Sequence, residues 1–505
     1  MANSDPRRYQ FGPLERRGVI GSFRATQVVL VGGAVAVAVV LIHVAATPVG
    51  VVATLGLIGC AAVAAFFPIA GRSAEEWSPV ALTMLVRRMT GRHRHRSPAP
   101  TAGIAVVHAG EPEGRLSLPA CLNGLELMTV PVAGDEIGIM KDRRTRTYTG
   151  VLAVRVASFG LLDRAEQERR IASWGWVLAS LASEGSAVSR IQWIERTAPA
   201  DADEIGRYLS EAWDREHVAA DGRAMHSYLE LIDHAGAATQ DHELFVCIQV
   251  DARRGGRQMK KLGQNDGLDA GASALLIREL ETVGDRLAAA DLAVQGALRP
   301  RMLARAIRLA YDPYARPLLT SRRNGEESSR GVAPESAFPT AADASWNCYR
   351  TDGAVHATAW IAGWPRSDVG VSFLAPLLMH TTTIRTVSVT MEPVPPSRAF
   401  REAEAARTAD AADDELRRRH GFLPTARRRK LVESAVRREQ ELADGHASIR
   451  FAGYVTVSAR DEAHLERSFV EVAHAAQQSR LELQRLYGEQ DAAFTYTLPL
   501  CRGLR

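Results

Sequence analysis

Two long apolar stretches near the start of the chain form the strongest pattern in the sequence. Residues 25–46 and 49–70 each hold about 20 residues without a formal charge. That length matches the roughly 30 Å hydrocarbon core of a bilayer. The pattern predicts two transmembrane helices, joined at Thr47-Pro48, in a hairpin over 25–70. One alternative is a secretory signal peptide, but it would have one shorter apolar core and a cleavage site. The other is a buried hairpin of a soluble protein, but two such stretches would be unusually uniform for one.

The charges that flank the two stretches predict their orientation. Arginines precede the first stretch and follow the second, whereas the turn between them has no charge. Because positive charge favours the cytoplasmic side, both ends of the hairpin and both termini are expected in the cytoplasm. The basic segment 1–24 then lies inside the cell. His43, near the outer end of the first stretch, fits an interfacial histidine better than a functional one.

The next segment, residues 71–100, is predicted to be a juxtamembrane helix followed by a basic linker. Trp77 and the apolar residues after it suggest an amphipathic helix lying on the membrane surface. The arginines and histidines from Arg87 to Arg96 would meet lipid phosphates there. A metal site at His93 and His95 is a weaker alternative.

Beyond residue 100, hydrophobic residues alternate with period two in some segments and recur with helical spacing in others. This rhythm predicts a first cytoplasmic α+β domain at 101–320, a loop or boundary at 321–340, and a second α+β domain at 341–505. Strand–helix–strand units suggest ferredoxin-like architecture. The fold class expected from the whole chain is therefore a membrane-anchored α+β protein. The main predicted strands lie at 126–134, 136–142, 146–158, 186–198, 242–253, 381–395 and 447–460.

Composition narrows the function classes only slightly. The net charge of +4 and the sequence pI of about 8.8 suit a protein beside an anionic membrane and are too weak to indicate nucleic acid. The five cysteines are scattered and form no Cys-x-x-Cys pair. A disulfide framework and a structural zinc site are therefore not expected. The scattered free cysteines indicate a reducing compartment.

No catalytic, cofactor or metal residue can be assigned from the sequence, and the chain is predicted not to be an enzyme. The stretch "GGRQMKKLGQNDG", which starts at Gly255, lacks the Gly-Lys-Ser/Thr step of a phosphate-binding loop and is interpreted as a solvated hairpin tip or loop. Asp413, Asp414 and Glu415 are interpreted as a solvated helix face. Acidic residues adjoin the basic run 417–430, as in "DAADDELRRR" at 410–419, which favours docking of another protein over contact with nucleic acid.

The order of these parts resembles conjugative type IV secretion proteins. The hairpin followed by "GRSAEEWSPVALTMLVRR" resembles the small PrgI- and VirB-type membrane subunits. The body resembles the N-terminal, non-ATPase half of VirB/TrbE/CagE-type secretion ATPases. Two segments carry this second likeness: "YTGVLAVRVASFGLLDRAEQERRIASWGWVLASLASEGSAVSRIQWIERTAP" and "SARDEAHLERSFVEVAHAAQQSRLELQRLYGEQDAAFTYTLPL". The whole resembles an actinobacterial integral membrane protein in which the two parts are fused.

The resemblance implies a function without an active site. In the ATPases, the segment similar to "GEQDAAFTYTLPL" leads into the P-loop motor domain, so the motor is expected here as a separate chain. The expected function is an inner-membrane scaffold that docks this ATPase and other secretion subunits, as a homo-oligomer. The lipid bilayer is an expected partner, and nucleic acid is not expected as a direct ligand. The alternatives are a type VII-like secretion component and a degenerate glycosyltransferase-like membrane protein.

Overall fold

The computed structural model describes most of the chain beyond residue 24. The described ranges are 25–44, 47–66, 72–97, 118–132, 134–155, 159–199, 222–238, 240–263, 266–316, 319, 331–379, 383–419 and 426–504. The basic segment 1–24, residues 98–117 and 200–221, and residues 321–330 of the predicted boundary lie outside these residues.

A single antiparallel sheet of 13 strands organises the described residues. Its main path runs β1-β8-β9-β10-β12-β11-β5-β6-β4-β3-β2, while β13 pairs with β10 and β7 pairs with β4. The strands are β1 (Arg94–Arg96), β2 (Leu125–Val132), β3 (Asp135–Asp142), β4 (Thr147–Arg155), β5 (Val188–Pro199), β6 (Gln240–Asp251), β7 (Ala293–Ala297), β8 (Ala341–Ala344), β9 (Tyr349–Arg350), β10 (Val355–Gly363), β11 (Ile384–Val394), β12 (Ser448–Ala459) and β13 (Glu482–Arg485).

The helices pack on the sheet or form a separate group. They are α1 (Ala25–Val44), α2 (Pro48–Phe66), α3 (Ala74–Met89), α4 (Arg164–Leu181), α5 (Arg223–Ala238), α6 (Ala252–Gly263), α7 (Gly267–Ala289), α8 (Pro300–Tyr311), α9 (Ala375–Met379), α10 (Pro396–Arg419), α11 (Ala426–Ala443), α12 (Glu462–Gln478) and α13 (Gln490–Phe494).

Both faces of the central strands are covered, so side chains on both faces are buried. Successive side chains of a strand point to opposite faces. In β6, Cys247 joins a cluster formed with α8 and the end of the chain, while Ile248 joins a cluster formed with α4 and α7. Beyond β11, the core beneath α12 contains Leu465 and Val472. These two layers explain the continuous apolar run from Leu244 to Ile248 in β6.

The pairing of β5 with β11 joins two parts of the chain that are far apart in sequence. The register runs antiparallel from Arg385 opposite Thr197 to Met391 opposite Ile191. Through this pair the strands from 125–297 and those from 341–485 form one sheet. The prediction of an α+β composition is confirmed, whereas one large antiparallel sheet replaces the separate ferredoxin-like units that the sequence predicted.

The chain divides into two compact units. The first contains residues 94–401 and 440–505, and therefore the whole sheet. The second contains residues 11–93 and 402–439. Within the second unit α1 packs on α2, and Arg407 bonds Glu439 at 2.8 Å between α10 and α11. The amphipathic helix predicted after residue 71 is present as α3.

The predicted membrane anchor requires a correction. A transmembrane helix needs about 20 consecutive apolar residues. Side chains are described without a break only over 31–43 in α1 and 54–63 in α2. In the described part of the chain, no helix is long and apolar enough to cross a bilayer. This finding overturns the transmembrane hairpin over 25–70, the membrane-anchored fold class and the multi-pass inner-membrane location.

A second correction concerns the stretch that starts at Gly255. The sequence suggested a solvated loop there, but residues 252–263 form α6 and a new helix, α7, begins at Gly267. The two helices approach very closely, since a methyl carbon added at Gly271 would lie 1.8 Å from the carbonyl oxygen of Met259. The glycines allow this backbone contact and do not break the helix.

Candidate functional site

The outer side of α4 carries the most exposed large aromatic side chain of the sheet-containing unit. Trp176 is 76% exposed, and Leu161, in the turn that precedes the helix, is 87% exposed. On the opposite side, Val177 and Leu181 are buried in the core. We call the exposed set the α4 face, and it consists of Leu161, Ala165, Ala172, Gly175 and Trp176.

Charged groups held by hydrogen bonds surround the α4 face. Asp163 caps the start of α4, because its carboxylate accepts a bond of 2.8 Å from the amide of Glu166. The Glu166 side chain accepts bonds from Arg169 and Arg170, at 2.7 and 3.1 Å. At the other end, Arg286 of α7 donates to Ser180 at 2.7 Å. An exposed aromatic with a fixed polar rim has the make-up of a protein-binding patch.

The last residues of the chain are pinned to the sheet by side chains. We call residues 486–504 the terminal segment. Gln192 of β5 donates to the carbonyl of Tyr496 at 2.9 Å and accepts from the amide of Cys501 at 2.7 Å. Arg502 bonds Asp142 at 2.7 Å. Further side-chain bonds to the segment's backbone come from Arg190, Gln249, Thr390 and Tyr454. The segment is therefore an ordered part of the sheet's surface layer.

The strongest arrangement of acid–base groups lies at the end of β5. The Glu195 carboxylate is buried, and its Oε1 atom accepts from His242 Nδ1 at 2.7 Å and from the Thr197 hydroxyl. Its Oε2 atom has no hydrogen-bond partner among the described residues. Thr197 lies 3.3 Å from the same Nδ1 atom. In a catalytic triad, the carboxylate bonds one imidazole nitrogen and the nucleophilic hydroxyl bonds the other. Here Glu195 and Thr197 both lie at Nδ1 of His242, so the cluster is not a triad.

A buried arginine compensates the charge of Glu195. Arg385 of β11 is fully buried and donates to the carbonyl of Leu378. Burial lowers the pKa of the Arg385 guanidinium, and the nearby Glu195 carboxylate acts in the opposite direction. A buried charge is tolerated when an opposite charge lies close to it. The cluster is therefore explained as a structural charge pair at the edge of the core.

The buried thiols of Cys247, Cys348 and Cys501 are poor nucleophiles because they are protonated at neutral pH. Burial, together with a hydrogen bond to Glu462, raises the pKa of Cys348 to about 11. Burial also raises the pKa of Cys247 and of Cys501. The reactive form of a cysteine is the thiolate. These three residues therefore fit structural positions better than catalytic ones.

His356 is buried and neutral. Its Nε2 atom lies 3.2 Å from the carbonyl oxygen of Tyr311, which can only accept, so Nε2 carries the proton. Nδ1 then accepts from the Ser458 hydroxyl at 2.8 Å. Burial lowers the pKa of the imidazole to about 3, and the bond to the Tyr311 carbonyl opposes this only partly.

The lowered pKa of His356 predicts a loss of stability in mild acid. The unfolded chain binds a proton near the ordinary pKa of 6.5, whereas the folded chain does not until about 3. Stability is therefore full above pH 6.5 and falls as the pH decreases towards 3. Between pH 7 and 5 the loss from this group is about 2 kcal/mol. His356→Gln should show a pH dependence weaker by that amount in urea denaturation, and an unchanged dependence would contradict the assignment.

The histidines that the sequence singled out do not form a metal site. His43 Nδ1 lies 3.1 Å from the carbonyl oxygen of Val39, and His93 Nδ1 lies 3.4 Å from that of Arg87. His95 lies on β1, opposite Ala342. Over the described ranges, no group of three or more His, Cys, Asp or Glu side chains could hold a metal ion.

The acidic and basic residues of α10 pair with each other. Glu415 lies 3.1 Å from Arg418 and 3.2 Å from Arg419, as expected for a solvated helix with internal ion pairs. Residues 420–425 of the basic run 417–430 lie outside the described residues. The sequence did not single out Trp176, Glu195 or the contacts of the terminal segment. Only the "WGW" stretch at 174–176 hinted at an aromatic surface.

Comparison with known proteins gives no independent assignment. No protein-family model matches the chain, and a search of curated proteins found no match.

Proposed function

We propose that this chain is a non-enzymatic adaptor that docks a separately encoded P-loop ATPase of a type IV-like conjugation or secretion apparatus. The observation that carries the proposal is the exposure of Trp176 on the α4 face. This face lies within one of the two segments that resemble the secretion ATPases. The resemblance supplies the class of partner, and the exposed aromatic supplies a place for it to bind.

The chemistry of the α4 face suits a protein partner. Tryptophan is enriched among the residues that dominate binding energy, because it buries a large apolar area at a small cost in side-chain entropy. Ala165, Ala172 and Gly175 are small and leave the indole of Trp176 accessible from the side. The ion pairs of Arg169 provide the polar rim that such patches have.

The absence of a catalytic role is supported by how the reactive groups are used. Glu195 is held by His242 and Thr197 and lies close to Arg385, and the pKa of Cys348 lies far above neutrality. Each group has contacts that a structural role explains. The expected homo-oligomer belongs to the same proposal.

The first test identifies the partner. Tagged full-length chain is purified under mild conditions from its own host, and the co-purifying proteins are identified by mass spectrometry. We expect enrichment of a P-loop ATPase. If the chain by itself hydrolyses nucleotide, or if it reproducibly recovers a different class of enzyme, the adaptor proposal is refuted.

The second test locates the contact. With the purified ATPase, Trp176→Ala should raise the Kd of the complex about 30-fold, equivalent to about 2 kcal/mol, as expected for a central tryptophan. Val470→Ala, at an exposed apolar residue on α12, is the matched control and should leave the Kd unchanged. Equal effects of the two variants would exclude the α4 face as the docking site.

A further inference from the structure

The outer side of α6 carries positive charge only. Arg253, Arg257, Lys260 and Lys261 are exposed and follow one another at the spacing of a single helix face. None of them forms an ion pair with another described residue. α6 contains no acidic residue, and it holds two of the four lysines in the whole chain.

The turn between β3 and β4 extends this charge. Arg144 and Arg146 are exposed in that turn and form no ion pair within the described ranges. The carbonyl of Arg146 accepts a bond of 3.0 Å from the amide of Ala252, the first residue of α6. The turn and the helix are therefore adjacent. We call the combined patch the basic surface, and it consists of Arg144, Arg146, Arg253, Arg257, Lys260 and Lys261.

Most carboxylates near the basic surface are already engaged. Asp269 bonds Lys141 and Tyr148, both at 2.5 Å, and these bonds lower its pKa although burial acts to raise it. Glu392 bonds Arg254 at 2.7 Å, and Glu126 bonds Arg143 at 2.8 Å.

Two further carboxylates lie at the borders of the patch. Asp251 bonds the backbone amide of Arg253 at 2.7 Å, and Asp266 is exposed beyond the end of α6. Asp142 accepts from the amide of Arg144 at 2.9 Å and is engaged by Arg502. Among the described residues, six exposed cations thus outnumber the acids beside them that have no cationic partner.

Rigidity favours binding by this surface. Gly255, Met259 and Gly263 are buried, and a carbon added at Gly263 would lie 3.0 Å from the backbone of Gly271. Because α6 is fixed against α7 by this close contact, its cations are held in a defined row. The row from Arg253 to Lys261 rises about 12 Å, which is about the axial length of three to four base pairs of DNA.

The residue types identify the anion. The apolar side of α6 is buried against α7, so the helix cannot insert that side into a lipid surface as interfacial helices do. The basic surface contains no aromatic side chain on which bases could stack. Protein interfaces are depleted in lysine and enriched in aromatics. We propose that the basic surface binds the phosphate backbone of double-stranded nucleic acid without sequence preference.

This inference is independent of the docking function of the α4 face. The sequence had suggested nucleic acid only for the run 417–430 and had disfavoured it there. The sequence pattern of residues 255–267 indicates a loop, in which the cations would not share a face. The basic surface therefore could not be predicted without the helix that the structure shows.

The test uses full-length protein and a fluorescein-labelled DNA duplex of random sequence, about 20 base pairs long, in fluorescence anisotropy at several salt concentrations. We expect a micromolar Kd at low salt and a steep dependence of log K on log salt. The double variant Arg257→Ser/Lys261→Ser should raise the Kd about tenfold at 0.1 M salt. It should also reduce the salt slope by about 2, since each lost phosphate contact accounts for about 0.9.

The matched control is Arg366→Ser/Arg467→Ser. Both arginines are exposed, form no ion pair with a described residue and lie on other elements of the same unit. Each double variant removes two positive charges, so the control isolates the position of the charge. Circular dichroism verifies folding. The inference is overturned if the wild-type chain does not bind the duplex, if the control weakens binding equally, or if only vesicles of anionic phospholipid or an acidic protein bind the surface.

Discussion

Replacing Gly271 by alanine is expected to lower the free energy of unfolding by about 3 kcal/mol. The added methyl carbon would lie 1.8 Å from the carbonyl oxygen of Met259 and 2.8 Å from the amide nitrogen of Gly263. Backbone atoms cannot move aside as a side chain does, so α6 and α7 must separate. Urea denaturation of the full-length variant measures the loss, and the transition midpoint should fall without a large change in slope.

The matched control lies in the same helix. Gly284→Ala places its methyl carbon 3.9 Å from Val294 and 4.0 Å from Leu152, which is ordinary van der Waals contact. Because alanine is the better helix former, this variant should be more stable by about 0.5–1 kcal/mol. Equal stabilities for the two variants would show that the close approach of the helices does not exist.

Replacing Gln192 by methionine is expected to cost about 2 to 3 kcal/mol and to loosen the end of the chain. The side chain is fully buried, and the substitution leaves the Cys501 amide without its acceptor and the Ser388 hydroxyl without its donor. Methionine has a similar volume, so the loss reports hydrogen bonds and not a cavity. Hydrogen exchange should show faster exchange at residues 495–504.

The control for this substitution is Gln258→Met. Gln258 is exposed on α6, and replacing it should change the unfolding free energy by less than about 0.5 kcal/mol. If Gln192→Met leaves both stability and exchange of the terminal segment unchanged, the pinning of this segment by β5 is refuted.

Local pattern was sufficient to predict most of the strands. The runs at β4, β5, β6, β11 and β12 are rich in Val, Ile and Thr, and each is observed as a strand. The caps at Asp163 and Asp461 are also local features, because each carboxylate accepts from the amide of the third residue of the helix that it begins. Features that depend only on residues close together in the sequence could therefore be predicted from it.

Features that depend on distant residues could not be predicted. The helix at 252–263 contains Gly255 and Gly256, which normally weaken a helix. It is stabilised by contact with α7, and the need for Gly271 becomes visible only when the two backbones meet. The pairing of β5 with β11 is equally non-local. Propensity was overruled here by tertiary packing.

The candidate sites show the same division. Trp174 and Trp176 are two residues apart and so lie on nearly opposite sides of α4, at about 100° per residue. Trp174 packs against the core and Trp176 is exposed, but the sequence gives no means of telling which is which. The partners of Glu195 and of Gln192 come from other strands. Their roles therefore required the three-dimensional register.

The pairing of β5 with β11 also determines whether the chain can be divided into separately folding fragments. Strand β5 belongs to the part before residue 316 and β11 to the part after residue 331, and each lies in the interior of the sheet. A fragment ending between them would expose the long unpaired edge of β5 or β11, which is a template for aggregation. The terminal segment would also lose its anchors in β5 and β6. The two parts are therefore obligate complements, and neither is a self-sufficient module.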